Sequence, residues 1–233
     1  MSQGPGESNP VRRLRFPARR RAPAVPWGSR EWSVSARFEI ELVDGVGRLR
    51  ATEPTPAEVA AAAPRLAAFY NDPHNRAMLS HAQDLSPAEV AAHYRALAVA
   101  GARPFLLELD GRLVGDADLR HIERGHAEIA ILVGDRTVQG RGLGTRFATM
   151  MHAFAFRMLA LRCVHASIAP GNAASLRLFA TLGYERDDTP TGRRYADEPD
   201  DVTLSLPSEG FEGAHPAIAS QVRISRRRAS PWP

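Results

Sequence analysis

The sequence predicts one α+β (mixed α/β) domain, residues 37–206, between two arginine-rich segments. Three observations carry this. Phe38, Ile40 and Leu42 alternate with Arg37, Glu39 and Glu41, the period of a half-buried strand. Thr55-Pro56-Ala57-Glu58 and Ser86-Pro87-Ala88-Glu89 are capping boxes with proline at the first helical position, so each starts a helix. The apolar run Ile129–Val133 leads through the glycine-rich stretch Gln139–Thr145 into residues with helical spacing. That is a strand, glycine loop, helix unit.

In chain order, the strand at 37–43 ends at the Asp44-Gly45 turn, and Arg48–Glu53 is a second short strand. The first helix runs to about Tyr70 and contains Pro64, where a kink or break is expected. Asn71–Leu85 is polar and carries His74 and His81; such loops often hold substrate contacts. The second helix has Val90, Tyr94, Leu97 and Ala98 on its apolar face and stops at Gly101. Pro104–Leu109 and Leu113–Leu119 form a hairpin about Asp110-Gly111, and Ala127–Val133 follows. Leu143, Phe147, Met150, Met151, Phe154, Met158 and Leu161 lie on one face of a long helix. After it come a strand at Cys163–Ala169, a helix from Asn172 to Leu182 stopped by Gly183, and closing strands at 184–186 and 202–206. The stretch after Pro207 shows no strong pattern.

Within the loop Gln139-Gly140-Arg141-Gly142-Leu143-Gly144-Thr145, glycines remove the Cβ atoms that would hold an anion away. The helix it opens has first-turn N–H groups without intrahelical partners and a positive dipole end. This is a site for a phosphate or pyrophosphate. A Rossmann fingerprint is excluded, because Thr145 stands where its third glycine belongs. A P-loop is excluded, because the chain contains no lysine.

The chain has 233 residues, 44% of them hydrophobic, which suits a folded core. No run is long enough to span a bilayer. Arg12-Arg13 is not followed by an apolar segment, so no secretory or twin-arginine signal is expected and the protein is expected to be cytoplasmic. The net charge of +4 is unevenly spread: residues 1–36 carry +5, residues 207–233 carry +2, and the middle carries −3. The domain is therefore mildly acidic, which suits a cationic amine substrate through weak steering. The basic segments 1–36 and 207–233 are expected to be loose and solvated, with weak nucleic-acid or ribosome contact as the alternative. The single cysteine, Cys163, permits no internal disulfide and cannot build a zinc site by itself. No metal is expected.

Asn172-Ala173-Ala174-Ser175-Leu176-Arg177-Leu178-Phe179 runs into Leu182-Gly183-Tyr184. Together with the loop at 139–144, in that order, this closely resembles the GNAT superfamily of acetyl-CoA-dependent N-acetyltransferases. The stretch Glu128–Asp135 is similar to the branch that includes ribosomal-protein N-terminal, spermidine and amino-sugar acetyltransferases. The resemblance implies a twisted, mixed, mostly antiparallel central sheet with helices on both faces. It is splayed between the strands at 127–133 and 163–169, and the pantetheine arm of acetyl-CoA enters the splay. Cofactor contacts are implied for Ile131, Leu132 and Val133 (main chain, pantetheine), for Gln139, Gly140, Arg141, Gly142, Leu143, Gly144 and Thr145 (diphosphate), and for Asn172 and Ser175. For Asn172 a helix cap is the alternative role.

The resemblance implies an amine acceptor, a protein N-terminus or a small molecule; a monomer or homodimer with no membrane partner is expected. An amine must lose a proton before it attacks, so a carboxylate base is needed. Glu128 is the first candidate, followed by Asp118 and Asp116. His165 and Ser167 face the same way on their strand and are candidates to line the acceptor cleft. Many family members carry a tyrosine, taken to protonate the departing thiolate, where this chain has Phe179. Solvent, Ser175, Tyr184 and Tyr195 are the alternative proton sources. The second reading of the whole chain is a catalytically silent acyl-CoA-binding relative that acts as an interaction or sensing module.

Overall fold

A computed structural model describes residues 36–79, 83–214 and 216–227. Most of the N-terminal basic segment, and His81, lie outside these residues. The elements are β1 (Phe38–Asp44), β2 (Gly47–Thr52), α1 (Pro56–Asn71), α2 (Pro73–Leu79), α3 (Pro87–Val99), β3 (Arg103–Leu109), β4 (Arg112–Glu123) and β5 (His126–Val133). They continue with α4 (Leu143–Arg157), β6 (Cys163–Ile168), α5 (Ala173–Thr181), β7 (Glu185–Arg186), α6 (Pro190–Arg193), β8 (Val202–Pro207), α7 (Ser208–Ala214), α8 (Pro216–Ala219) and β9 (Arg223–Arg226). Among the described residues the strands form one nine-stranded sheet in the order β7-β8-β6-β5-β4-β3-β2-β1-β9. Every neighbouring pair is antiparallel except β5 with β6. No helix of the described residues is long and apolar enough to cross a membrane.

Strand alternation sorts residues to the two faces. Phe105, Leu107, Ala117, Leu119, Ala127 and Ile129 pack with Phe147, Met150, Met151 and Phe154 of α4 in the main core. Each of these α4 side chains is fully buried, and such burial contributes roughly 1.5–3 kcal/mol per residue. On the opposite face, Leu106 packs with Val59, Leu66, Phe69, Val90 and Tyr94 of α1 and α3. Helices therefore cover both faces. Between the two irregularities of β4, Asp116 and Asp118 point to the face away from α4, as does Glu128 of β5.

Both capping boxes form. Thr55 Oγ1 accepts from Glu58 N–H while Glu58 Oε2 accepts from Thr55 N–H, and Ser86 and Glu89 repeat the exchange. Pro64 does not break α1. It lies on the solvent side with Ala60, so water serves the carbonyl that the missing N–H leaves behind. The Asn71–Leu85 stretch contains a short helix, α2, whose start is held by Asp72 Oδ1 accepting from the N–H groups of His74 and Asn75. The stretch after Pro207 is not a patternless tail up to residue 227: α7 and α8 lead to β9, which pairs with β1. The Arg227 guanidinium then reaches Glu58 at 2.6 and 2.9 Å and Glu53 O at 2.6 Å. Four residues of strand are too few to show a period of two by eye, and the ends of this strand are charged.

Candidate active site

β5 and β6 pair only through His126↔Cys163, Ala127↔Val164 and Glu128↔His165. Beyond these, β5 runs on to Val133 and β6 to Ile168 with no ladder between them, so a wedge opens. Ile131, Leu132 and Val133 line β5 there and are half-buried. Strand edges of this kind pair with extended ligands.

The glycine loop follows at the wide end of the wedge. Gly134 and Asp135 N–H both donate to Val114 O, at 2.8 and 3.0 Å. Buried Asn75 donates to Phe69 O at 2.9 Å and Gly134 O at 2.8 Å, and accepts from Gln139 Nε2 at 2.9 Å. Gln139 Nε2 also donates to Val133 O at 2.7 Å. The loop is thus tied back to α1, α2 and β5. Gly140 and Gly142 have φ of 75° and 72°, the left-handed region that glycine enters without penalty. Gly142 caps α4 without a side-chain hydrogen bond, so the first-turn amides of α4 are left for a ligand. Gly140, Arg141 and Gly142 are exposed. Across the wedge, Asn172 Oδ1 accepts from Ser175 N–H at 3.0 Å and its Nδ2 donates to Met78 O at 2.9 Å.

Titratable side chains gather on the sheet face opposite α4, where the wedge begins. Glu128, 2% exposed, places Oε2 at 2.9 Å from His121 Nδ1. His121 sits in an irregularity of β4 between Arg120 and Glu123, with φ of 51°. That bend re-aims its ring, and the hydrogen bond to Glu128 raises its pKa. Asp118 is held by Arg120 through two bonds, Nε to Oδ1 at 2.7 Å and Nη2 to Oδ2 at 2.9 Å. Asp116 Oδ2 accepts from the Tyr70 hydroxyl at 2.5 Å and the Tyr94 hydroxyl at 2.9 Å. Burial outweighs these bonds and pushes its pKa up to about 6. Asp197 stands at the mouth, its pKa raised by desolvation and by the Glu128 charge. Ser167 Oγ donates to Asp201 Oδ2 at 2.8 Å and accepts from Asp197 N–H at 2.9 Å, fixing that loop. His165 is buried and stacks on Tyr195 at 4.1 Å, and desolvation lowers its pKa to about 4.

Asp116 makes the stability depend on pH. Its folded pKa lies above its ordinary 3.8, so its contribution is complete below that value and is lost as pH rises to about 6. Asp116→Asn cannot ionise and keeps an oxygen for the tyrosines. Relative to the native protein, the variant is expected to gain on the order of 2–3 kcal/mol between pH 4 and pH 7. Urea midpoints of both proteins at the two pH values measure this, because any fixed cost of the substitution cancels. An equal gap at both pH values would refute it.

The Acetyltransferase (GNAT) domain model matches residues 48–185, more than half of the chain. The chain belongs to the GNAT family of N-acetyltransferases. No curated protein matches it in sequence, whereas solved acetyltransferase structures do match it in fold. An aminoglycoside acetyltransferase AAC(6')-Ib in complex with coenzyme A superposes with a TM-score of 0.58 at 21% identity, over 72% of this chain and 98% of that one. Mycobacterium smegmatis RimJ in complex with CoA-disulfide gives 0.58 at 18% identity, over 79% and 95%. Spermidine N-acetyltransferase from Vibrio cholerae, in complex with CoA and spermine, gives 0.56 at 16% identity, over 70% and 96%.

In this GNAT domain the loop residues 140–145 and the β5 residues 131–133 border one wedge, with Asn172 and Ser175 on its other side. Three expectations change. The Gln139 amide is bonded to Val133 and Asn75, so it shapes the loop and is not turned to a phosphate. Asp118 has both oxygens on Arg120, which removes it as a free base. Tyr184 is buried with its hydroxyl engaged in the core, 2.6 Å from His152 Nε2. Phe179 is buried and edge-on to the Tyr184 ring at 4.8 Å. His74 is exposed and takes no part in the cluster. Asn75, His121 and Asp197 carry no local signal. They are polar residues in irregular segments, and only the fold brings them to the site.

Proposed function

We propose that this GNAT domain transfers an acetyl group from acetyl-CoA directly to a primary amine in a ternary complex, the amine being a protein N-terminus or a small molecule. The observation that carries the reading is the opening of β5 from β6 beside both the bare α4 terminus and the buried Glu128. The main-chain amides of residues 140–145 hold the diphosphate, with the Arg141 guanidinium free to reach a phosphate oxygen. Pantetheine lies along Ile131–Val133 as an added strand, flanked by Asn172 and Ser175. A main-chain amide of β5 polarises the thioester carbonyl.

The acceptor arrives as an ammonium, with a pKa near 10 if it is lysine-like. Glu128 takes its proton, and His121, half exposed at 2.9 Å from that carboxylate, passes it to solvent. The neutral amine attacks the carbonyl carbon; the C–N bond forms, the C–S bond breaks, and coenzyme A leaves as thiolate. A thiol pKa of about 8.5 makes this a tolerable leaving group near neutral pH, so Phe179 at the usual tyrosine position does not forbid turnover. The Glu128, Asp197 and Asp201 carboxylates suit a cationic acceptor.

The test is thiol release from acetyl-CoA with a panel of primary amines: N-terminal peptides, polyamines and amino sugars. Release above background with at least one amine supports the reading. Measurable cofactor binding without release from any amine assigns the chain to the silent, cofactor-binding class instead.

A further inference from the structure

We propose that His126, His165 and Cys163 form a binding site for a single zinc ion at the apex of the wedge. The three donors come from the last paired rungs of β5 and β6, where His126 is opposite Cys163 and His165 opposite Glu128. That parallel register puts all three side chains on the face away from α4. His126 Nδ1 and His165 Nε2 are 2.9 Å apart, and the two nitrogens and Cys163 Sγ all lie within 4.8 Å of one another. Two imidazoles and a thiolate are a donor set that zinc takes readily. Zinc–nitrogen bonds of about 2.0–2.1 Å place tetrahedral nitrogens roughly 3.3 Å apart. The imidazoles therefore part by a few tenths of an ångström and the sulfur swings inward, both by side-chain rotation.

A support lies behind the first donors. Asp187 Oδ2 is 3.5 Å from His165 Nδ1. Asp187 is itself fixed, its Oδ1 accepting from Thr189 N–H at 3.1 Å and Thr189 Oγ1 at 2.6 Å. A carboxylate behind a ligating histidine sets its tautomer and turns the other nitrogen to the metal. His165 is otherwise without a bond at Nδ1, and Tyr195 holds the ring flat from its other side. A cavity of about 150 Å³ lined by His126, Tyr195, Arg162 and Arg194 opens beside the cluster, so water reaches a fourth position. Arg124 also lines the cavity, and the other two arginines are paired at its rim: Arg194 with Glu123 at 2.6 Å, and Arg162 donating to Arg124 O at 2.9 Å. Binding releases the Cys163 proton to solvent. The ion joins β5 to β6 where they part and is no participant in acetyl transfer.

The experiment uses the untagged full chain titrated with zinc chloride by calorimetry and with cobalt(II) chloride by absorption. One ion per chain is expected, with a thiolate-to-cobalt charge-transfer band in the near ultraviolet. Cys163→Ser is expected to abolish the band, and His126→Gln to weaken zinc by at least about tenfold. Both side chains are only partly buried, and thermal melts of each variant check that it is folded. Absence of the band in the native chain overturns the site, and so does zinc affinity unchanged in both variants. Neither outcome bears on the acetyltransferase reading, which does not use the metal.

Discussion

Gly142→Glu is expected to abolish acetyl-CoA binding, with at least a hundredfold loss of affinity, about 2.7 kcal/mol. Two effects act together and can be separated. The backbone at φ 72° costs a β-carbon residue roughly 1–2 kcal/mol, and the new Cβ meets Arg146 Nη1 at 2.8 Å. That neighbour is the end of a flexible side chain, held by Asp44 at 2.5 Å, so the clash is relieved by a small movement. The larger effect is a carboxylate among the amides proposed to hold the diphosphate, where like charges repel without bulk water between them. Gly142→Asn isolates the backbone effect, since asparagine tolerates the left-handed region and carries no charge. It is expected to bind within about tenfold of native. Calorimetry with acetyl-CoA, alongside thermal melts, measures both. Normal cofactor binding by the glutamate variant would remove the loop from the cofactor site.

Glu128→Gln is expected to lower kcat by about 10²–10⁴ at neutral pH while leaving acetyl-CoA affinity unchanged, the usual loss for a positioned base. Glutamine matches the shape of glutamate and keeps an oxygen for His121, so the bend in β4 has no reason to relax. The loss should shrink as pH climbs toward the acceptor's own pKa, near 10, because solvent then supplies the free amine. Turnover against pH, with the best amine from the panel, measures this. A fall of less than about threefold at pH 7 would move the base elsewhere, with Asp197 next in position.

Much of this architecture is legible along the chain because its signals are local. A capping box closes within one helical turn, and both appear where Thr55 and Ser86 stand. The α4 stripe from Leu143 to Phe154 is a period of 3.6, and the strand at 38–42 is a period of 2. The family resemblance carried by the ordered pair of motifs, glycine loop and then Asn172 helix, implies a wedge between these two strands. The ladder that stops at Glu128↔His165 agrees. Pro64 does not break α1; the local rule for proline ignores which side of the helix faces water. The β9 strand escapes because its partner, β1, lies at the other end of the chain and supplies the reason for it to be extended.

Local chemistry, then, is what the sequence determines by itself: where helices begin, which strand precedes the glycine turn, and which carboxylates share a face. The state of those carboxylates belongs to the tertiary structure. Asp118 is paired with Arg120, burial raises Asp116 toward pH 6 against the bonds from Tyr70 and Tyr94, and Glu128 keeps a path to solvent through His121. Cys163 shares β6 with His165 and gains the His126 imidazole only when β5 meets β6. The physical reason is the same in each case. Charge, proton affinity and ligation depend on burial and on partners within a few ångströms, and elements distant in the chain supply both.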